Sequence, residues 1–337
     1  MIKASILPYY YPTTVVLVDD NQRFLDNFTL HLDENLANIC FSSANEALNH
    51  INDSALKVHL DQRCFSYYRD AQTANEDILR LDLTLIEREI SDPSRFQDIS
   101  VVIVDYDMPE MNGLDFCQKI RDRRVKKILL TGVADEKIAV AAFNNGIIDR
   151  FLMKSDPAIT EKINQTIADC QRKYFSEVSA LIQSLLALKS PEFIYNEDFI
   201  DYFFSIQKSH SFVEYYYVED PSGFILVSDS GELSRLIIFS EAELQQYLFS
   251  IKKHKPPTSF IQKVSSGKFI PWLWETPEET EEDEPFVWED YLYSATKLGG
   301  QEKWFCALIP NPPADIEYDS ETSSYEVYLN KLDERSK

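Results

Sequence analysis

Residues 99–113 read ISVVIVDYDMPEMNG. The first six are apolar or β-branched almost without interruption, as expected of a strand covered on both faces inside a parallel sheet. The run ends on Asp105. Working outward, TVVLV at 14–18 is a run of the same kind and ends in Asp19-Asp20. Lys127 to Leu130 ends in Thr131, and Arg150 to Met153 ends in Lys154. Ala37 to Phe41 supplies one more strand. Between the strands lie helical patterns: Phe24, Leu25, Phe28, Leu32 and Leu36 at steps near three and four, a start at Ser43-Ala44-Asn45-Glu46, then Gly113–Ile120 and Glu136–Phe143. Strand alternating with helix predicts an α/β, doubly wound, five-stranded parallel sheet of the flavodoxin-like kind.

The polar residues fall at the strand ends. In an open α/β sheet those ends border the ligand crevice. Asp19, Asp20, Asp105, Thr131 and Lys154 would therefore meet there, although 135 positions separate the first from the last. Taken alone, each has a structural explanation: a turn, a helix cap or a solvated lysine. Taken together, three carboxylates, a hydroxyl and an ammonium form a phosphoryl-transfer set. The carboxylates repel one another unless a hard cation with oxygen ligands, Mg²⁺, sits among them. An aspartate can itself be the nucleophile, and Asp105 caps the most apolar strand.

Several other classes are excluded. The chain has 337 residues and 8 glycines, at positions that form neither GxGxxG nor a P-loop, so both glycine-rich phosphate cradles are absent. Its 5 cysteines form no CxxC pair and read as reduced core thiols. With 33 basic and 56 acidic residues the net charge is −23, which opposes non-specific attraction to nucleic acid or anionic lipid. Neither a signal-peptide h-region nor a membrane-length apolar run is present, and a cytoplasmic location is expected.

VVLVDD at 15–20, VVIVDYDMPEMNG at 101–113, LLTG at 129–132 and FLMK at 151–154 resemble the receiver domain of two-component response regulators. The resemblance implies that Asp105 accepts a phosphoryl group from a sensor histidine kinase. It implies Mg²⁺ held by Asp20, Asp105 and the main-chain carbonyl of Asp107, with Asp19 reached through a water. Thr131 and Lys154 would bind phosphoryl oxygens, and Phe151 would be a switch aromatic that turns inward with Thr131. Core packing explains Phe151 equally well. The whole chain is also similar to a smaller group of regulators, a quorum-sensing one among them, that join an insertion-bearing receiver to an output domain of unknown activity.

Three departures stand out. Ser155 follows Lys154 where the family usually has proline, Asp107 adds a fourth acid, and Asp20 and Asp105 lie 85 positions apart. Residues 53–97 are accordingly read as a helical insertion, and 1–156 as the receiver. Residues 157–189 are read as one long linker helix whose apolar stripe packs on its own domain or, beyond Gln171, projects and pairs with a second copy, and phosphorylation-enhanced homodimers are expected. Residues 190–337 are read as an α+β output domain with an antiparallel sheet and the turns Asp220-Pro221-Ser222-Gly223 and Asp229-Ser230-Gly231. The acidic stretch 275–290 is expected to be a mobile loop. Lys252-Lys253-His254-Lys255 is read as a solvated helix end. No enzymatic motif is visible in this half. It is expected to bind a protein, ahead of a nucleic acid, with a receiver-gated enzyme or a phosphate-sink adaptor as the alternatives.

Overall fold

A computed structural model describes residues 6–69, 77–132, 136–189, 192–279, 285–299, 303–313 and 318–335. The chain forms two compact units, and they are interleaved rather than consecutive. One comprises Tyr10–Arg80, Asp92–Ile182 and Tyr325–Lys337, the other Met1–Tyr9, Leu81–Ser91 and Gln183–Ser324.

The first unit is built on five parallel strands: β1 (Thr14–Val18), β2 (Asn38–Phe41), β3 (Ile99–Asp105), β4 (Lys126–Thr131) and β5 (Arg150–Met153). Their order is β2-β1-β3-β4-β5, the doubly wound arrangement that the alternation predicts. Val18 lies beside Val104, and Asp105 beside Leu130. Thr131 lies beside Met153, so the strands finish in step at one edge.

Successive residues serve opposite faces, as the pleat requires. Val16, Val18, Val102, Val104 and Leu129 pack with Ala47, Ile51, Phe116 and Ala139, which come from helices at 44–54, 113–119 and 136–144. Val15, Leu17, Val101, Ile103 and Ile128 pack with Leu25, Phe28, Ile163 and Ile167, from helices at 22–29 and 159–178.

Three expectations need correction here. The insertion is not wholly helical. Besides Leu60–Arg63 and Thr84–Arg88 it holds a two-stranded sheet of Phe65–Arg69 and Asp77–Leu81, runs rich in aromatic and branched residues that suit strands. The long helix is two helices, Ile159–Val178 and Ala180–Lys189. At the break, the Ser179 hydroxyl donates to the Phe175 carbonyl at 2.6 Å, a back-bond that competes with the helix ladder. Ser190-Pro191, a pair that in sequence would stop the second helix, lies outside the described residues. Finally, as far as Val178, the stripe does not project. Through the first helix it is covered: Tyr174 and Val178 are buried, as is Phe175 beside them, which lies against the rings of Tyr10 and Tyr11 at 4.9 Å; of the stripe that follows, Leu181 is exposed.

The second unit carries strands in the order 212–218, 223–228, 233–240, 304–310 and 296–298, each antiparallel to its neighbour. On one side Phe193 meets Phe199, Phe224 and Trp304 edge to face, and Phe203 packs tilted against Phe224. A further core joins Ile237, Phe239, Leu244, Leu248, Phe260 and Trp272. The insertion's Thr84–Arg88 helix packs on the Phe212–Val218 strand with Ile86 and Ile90 fully buried.

The acidic stretch is anchored at its flanks. Phe286 stacks on Tyr291 at 4.6 Å, Trp288 meets Phe260 at 5.0 Å, and the aromatic residues hold what the carboxylates alone would not. Residues 280–284 of that stretch lie outside the described residues. The basic cluster ends a helix as expected, and His254 is paired with Glu278 at 2.6 Å.

Candidate functional site

The site is assembled by the sheet's C-terminal edge. Main-chain bonds continue past the strands: Asp19 N to Phe41 O at 3.2 Å, Tyr106 N to Leu130 O at 2.9 Å and Lys154 N to Thr131 O at 3.0 Å. These fix Asp19, Asp105, Thr131 and Lys154 on adjacent strands. Carboxylate oxygens of Asp19, Asp20 and Asp105 lie within 4.8 Å of one another. Asp19 and Asp105 are buried and Asp20 is exposed, so the cluster opens to solvent on one side.

Lys154 is the hub. Its ammonium lies 2.6 Å from Asp19 and 2.9 Å from Asp105, and 4.3 Å from the centre of the Phe24 ring. Burial opposes its charge, but the hydrogen bonds to Asp19 and Asp105 outweigh burial and raise its pKa. Burial also raises the pKa of Asp105; Lys154 pulls it back, Asp19 pushes it further, and the net shift is upward. One ammonium thus pairs with two of the three carboxylates, and Asp20 stands beside them. The set is all hard oxygen with negative charge in excess, which fits a divalent cation such as Mg²⁺. Lys154–Ser155 is a trans peptide, and it delivers the ammonium without the family's proline.

Thr131 is fully buried, and its hydroxyl donates to the Gly132 carbonyl at 3.1 Å. Phe151 is half-buried against the core that includes Val104 and Leu129. Asp107 is exposed in the turn after β3.

That turn shows why MPEMNG reads as it does. Asn112 caps the helix that begins at Gly113, accepting from Leu114 N and Asp115 N at 3.0 and 2.9 Å. Gly113 donates to the Tyr106 carbonyl, and a Cβ at Gly113 would meet the Asp105 main-chain oxygen at 2.3 Å. Only glycine lets the helix start this close to the end of β3.

Two participants escaped the sequence reading. Glu110 accepts from the Ser43 hydroxyl at 3.0 Å and from Asn45 N at 2.8 Å, tying the turn to the next helix start. Phe24 supplies the ring beside Lys154. The role of Glu110 depends on a contact 67 positions away, and Phe24 reads in sequence as one more residue of an apolar stripe.

Residues 73–165 match the family described as response regulator receiver domain. The match begins within the insertion, and Asp19 and Asp20 precede it. The structure of the response regulator LqsR from Legionella pneumophila is similar over its whole length, with 34% identity, a TM-score of 0.77 and 98% of each chain covered. The cyclic di-GMP phosphodiesterase response regulator RpfG of Xanthomonas campestris pv. campestris (strain 8004) is 42% identical over 60 residues. That match spans 17% of this chain and 16% of the relative.

Proposed function

The chain belongs to the two-component response regulators, and on that premise we propose that Asp105 takes a phosphoryl group from the phosphohistidine of a sensor histidine kinase. The observation that carries this reading is the Lys154 ammonium held 2.6 Å from Asp19 and 2.9 Å from Asp105. A carboxylate oxygen of Asp105 attacks phosphorus, the new O–P bond forms as the N–P bond breaks, and the imidazole leaves with the electron pair and is protonated. Lys154 then turns to a phosphoryl oxygen. The Thr131 hydroxyl exchanges the Gly132 carbonyl for another, and Phe151 follows it inward. Asp20, Asp105 and the Asp107 carbonyl would hold Mg²⁺, with Asp19 acting through a water, and the ion would supply neutralising positive charge at the phosphoryl group.

The consequence is regulatory. The second unit is read as a binding module rather than an enzyme, acting on a partner protein in two-component signalling and, by its similarity to the Legionella regulator, in quorum sensing. Residues 190–337 carry 12 basic and 28 acidic groups, which favours a protein over a nucleic acid. Phosphorylation is expected to promote homodimers; Tyr174 and Val178 of the stripe are covered by their own unit, and Leu181 is exposed. No helix among the described residues is long and apolar enough to cross a membrane, and action in the cytoplasm is proposed.

The test uses full-length chain, magnesium and a phosphorylated kinase. An acid-stable, base-labile label that is absent from Asp105→Asn supports the reading, and equal labelling of both proteins overturns it. Sedimentation with and without beryllofluoride reads the dimer: an unchanged monomer in both removes that part.

A further inference from the structure

The last helix, Tyr325–Arg335, belongs to the receiver unit although it ends the chain. Tyr325, Tyr328 and Leu332 fall at steps of three and four and are sheltered, whereas Glu326, Asn330 and Lys331 are exposed. The sheltered face meets the strands where they begin. The Tyr325 hydroxyl donates to Asn35 O at 2.6 Å and accepts from Ala37 N at 2.9 Å, just ahead of β2. The Tyr328 hydroxyl lies 2.6 Å from the hydroxyl of Thr14, the first residue of β1. Since Thr14 donates its proton to Phe96 O at 2.8 Å, Tyr328 is the donor to Thr14. Both tyrosine rings flank Phe96, which is fully buried three residues before β3, at 5.1 and 5.5 Å.

One helix therefore holds the starts of β1, β2 and β3, and the far ends of β1 and β3 carry Asp19, Asp20 and Asp105. We propose that Tyr325–Arg335 is an intrachain clasp and a stabilising element of the receiver, so that this receiver is completed by a segment lying beyond the whole second unit in sequence. Its partner surface is main chain: Asn35 O, Ala37 N and, through Thr14, Phe96 O. Such a surface accepts a paired hydroxyl donor and acceptor, and a phenylalanine of the same shape cannot satisfy it.

The test is amide hydrogen exchange on the full-length protein, comparing wild type with Tyr325→Phe/Tyr328→Phe. The rings stay and the hydroxyls go, so the fold is retained. Exchange at Ala37 is expected to rise about fivefold to tenfold, with a smaller rise along Thr14–Val18 and none along Leu233–Ser240. Tyr325→Ala, which also uncovers Phe96, is expected to raise exchange further and across 38–41. Unchanged exchange at Ala37 in both variants would overturn the clasp, and so would a rise of equal size in both units.

Discussion

Asp19, Asp105 and Lys154 in the receiver unit and Glu214 and Arg235 in the second unit are charged groups withdrawn from water, yet they are satisfied in different ways. Glu214 is fully buried and accepts from the Tyr216 hydroxyl at 2.5 Å. Arg235 reaches back across the sheet to the carbonyls of Pro221 and Leu236, bracing the turn at 220–223. Burial lowers the Arg235 pKa to about 10, and Glu87 and other acids offset part of that cost. These groups are spent on holding the fold. At the receiver edge two buried carboxylates share one ammonium with an exposed third beside them, and negative charge is left over. Charge met by hydrogen bonds inside a sheet is architecture, whereas charge in excess at a strand edge can receive a cation and a phosphoryl group.

The contrast can be broken by substitution. Lys154→Met is expected to slow labelling of Asp105 about 10²-fold, the cost of removing one preorganised charge from a transfer site, while circular dichroism stays native. Labelling at the wild-type rate would place Lys154 with the structural charges. Ile86→Ala should do the reverse. Ile86 is fully buried against the second unit's sheet, so the deletion costs about 2–5 kcal/mol and lowers the melting temperature without altering the labelling rate per folded molecule. If instead it slows labelling and leaves melting unchanged, the insertion serves the site and not the second unit's core.

A smaller effect lies in the pH dependence of stability. Burial raises the Asp149 pKa, but hydrogen bonds from the Lys173 ammonium and the Lys127 amide, with the charges of Lys126 and Lys173, outweigh it and hold the pKa low. A carboxyl depressed in the fold stabilises in full above its unfolded pKa of about 4 and loses that contribution as pH falls from there through its lower folded pKa. Asp105, raised in the fold, does the opposite: the folded chain takes the proton first, and its burden is relieved on acidification. Melting temperatures followed from neutral pH down to about 2 should therefore fall more steeply in Asp105→Asn above about 4, and less steeply in Asp149→Asn below about 4. Parallel curves for all three proteins would contradict both assignments.

Much of the receiver was legible because parallel strands end at a common edge. An apolar run closing on Asp19-Asp20, on Asp105, on Thr131 or on Lys154 announces both the strand and its place in the site. Other features depended on partners far away in sequence. The positions Leu83, Ile86 and Ile90 show a helical stripe, but nothing local says that this stripe belongs to the second unit's core. Tyr325, Tyr328 and Leu332 carry a stripe too, and their partners at Asn35 and Ala37 lie 290 and 288 positions earlier. The break at Ser179 lacks proline or glycine as a signal, and the hydroxyl turned back to Phe175 shows only in the fold. The second unit reads as strands and turns and stops there, because its buried polar groups are consumed internally.

The most direct measurement asks which side chain carries phosphorus. Full-length protein is loaded with acetyl phosphate and magnesium, treated with borohydride, which reduces an acyl phosphate to the alcohol, then digested and sequenced by mass spectrometry. The expected result is homoserine at position 105 and aspartate retained at 19, 20 and 107. An unreduced Asp105 alongside a phosphorylated protein, or reduction at any other carboxylate, would contradict the central claim.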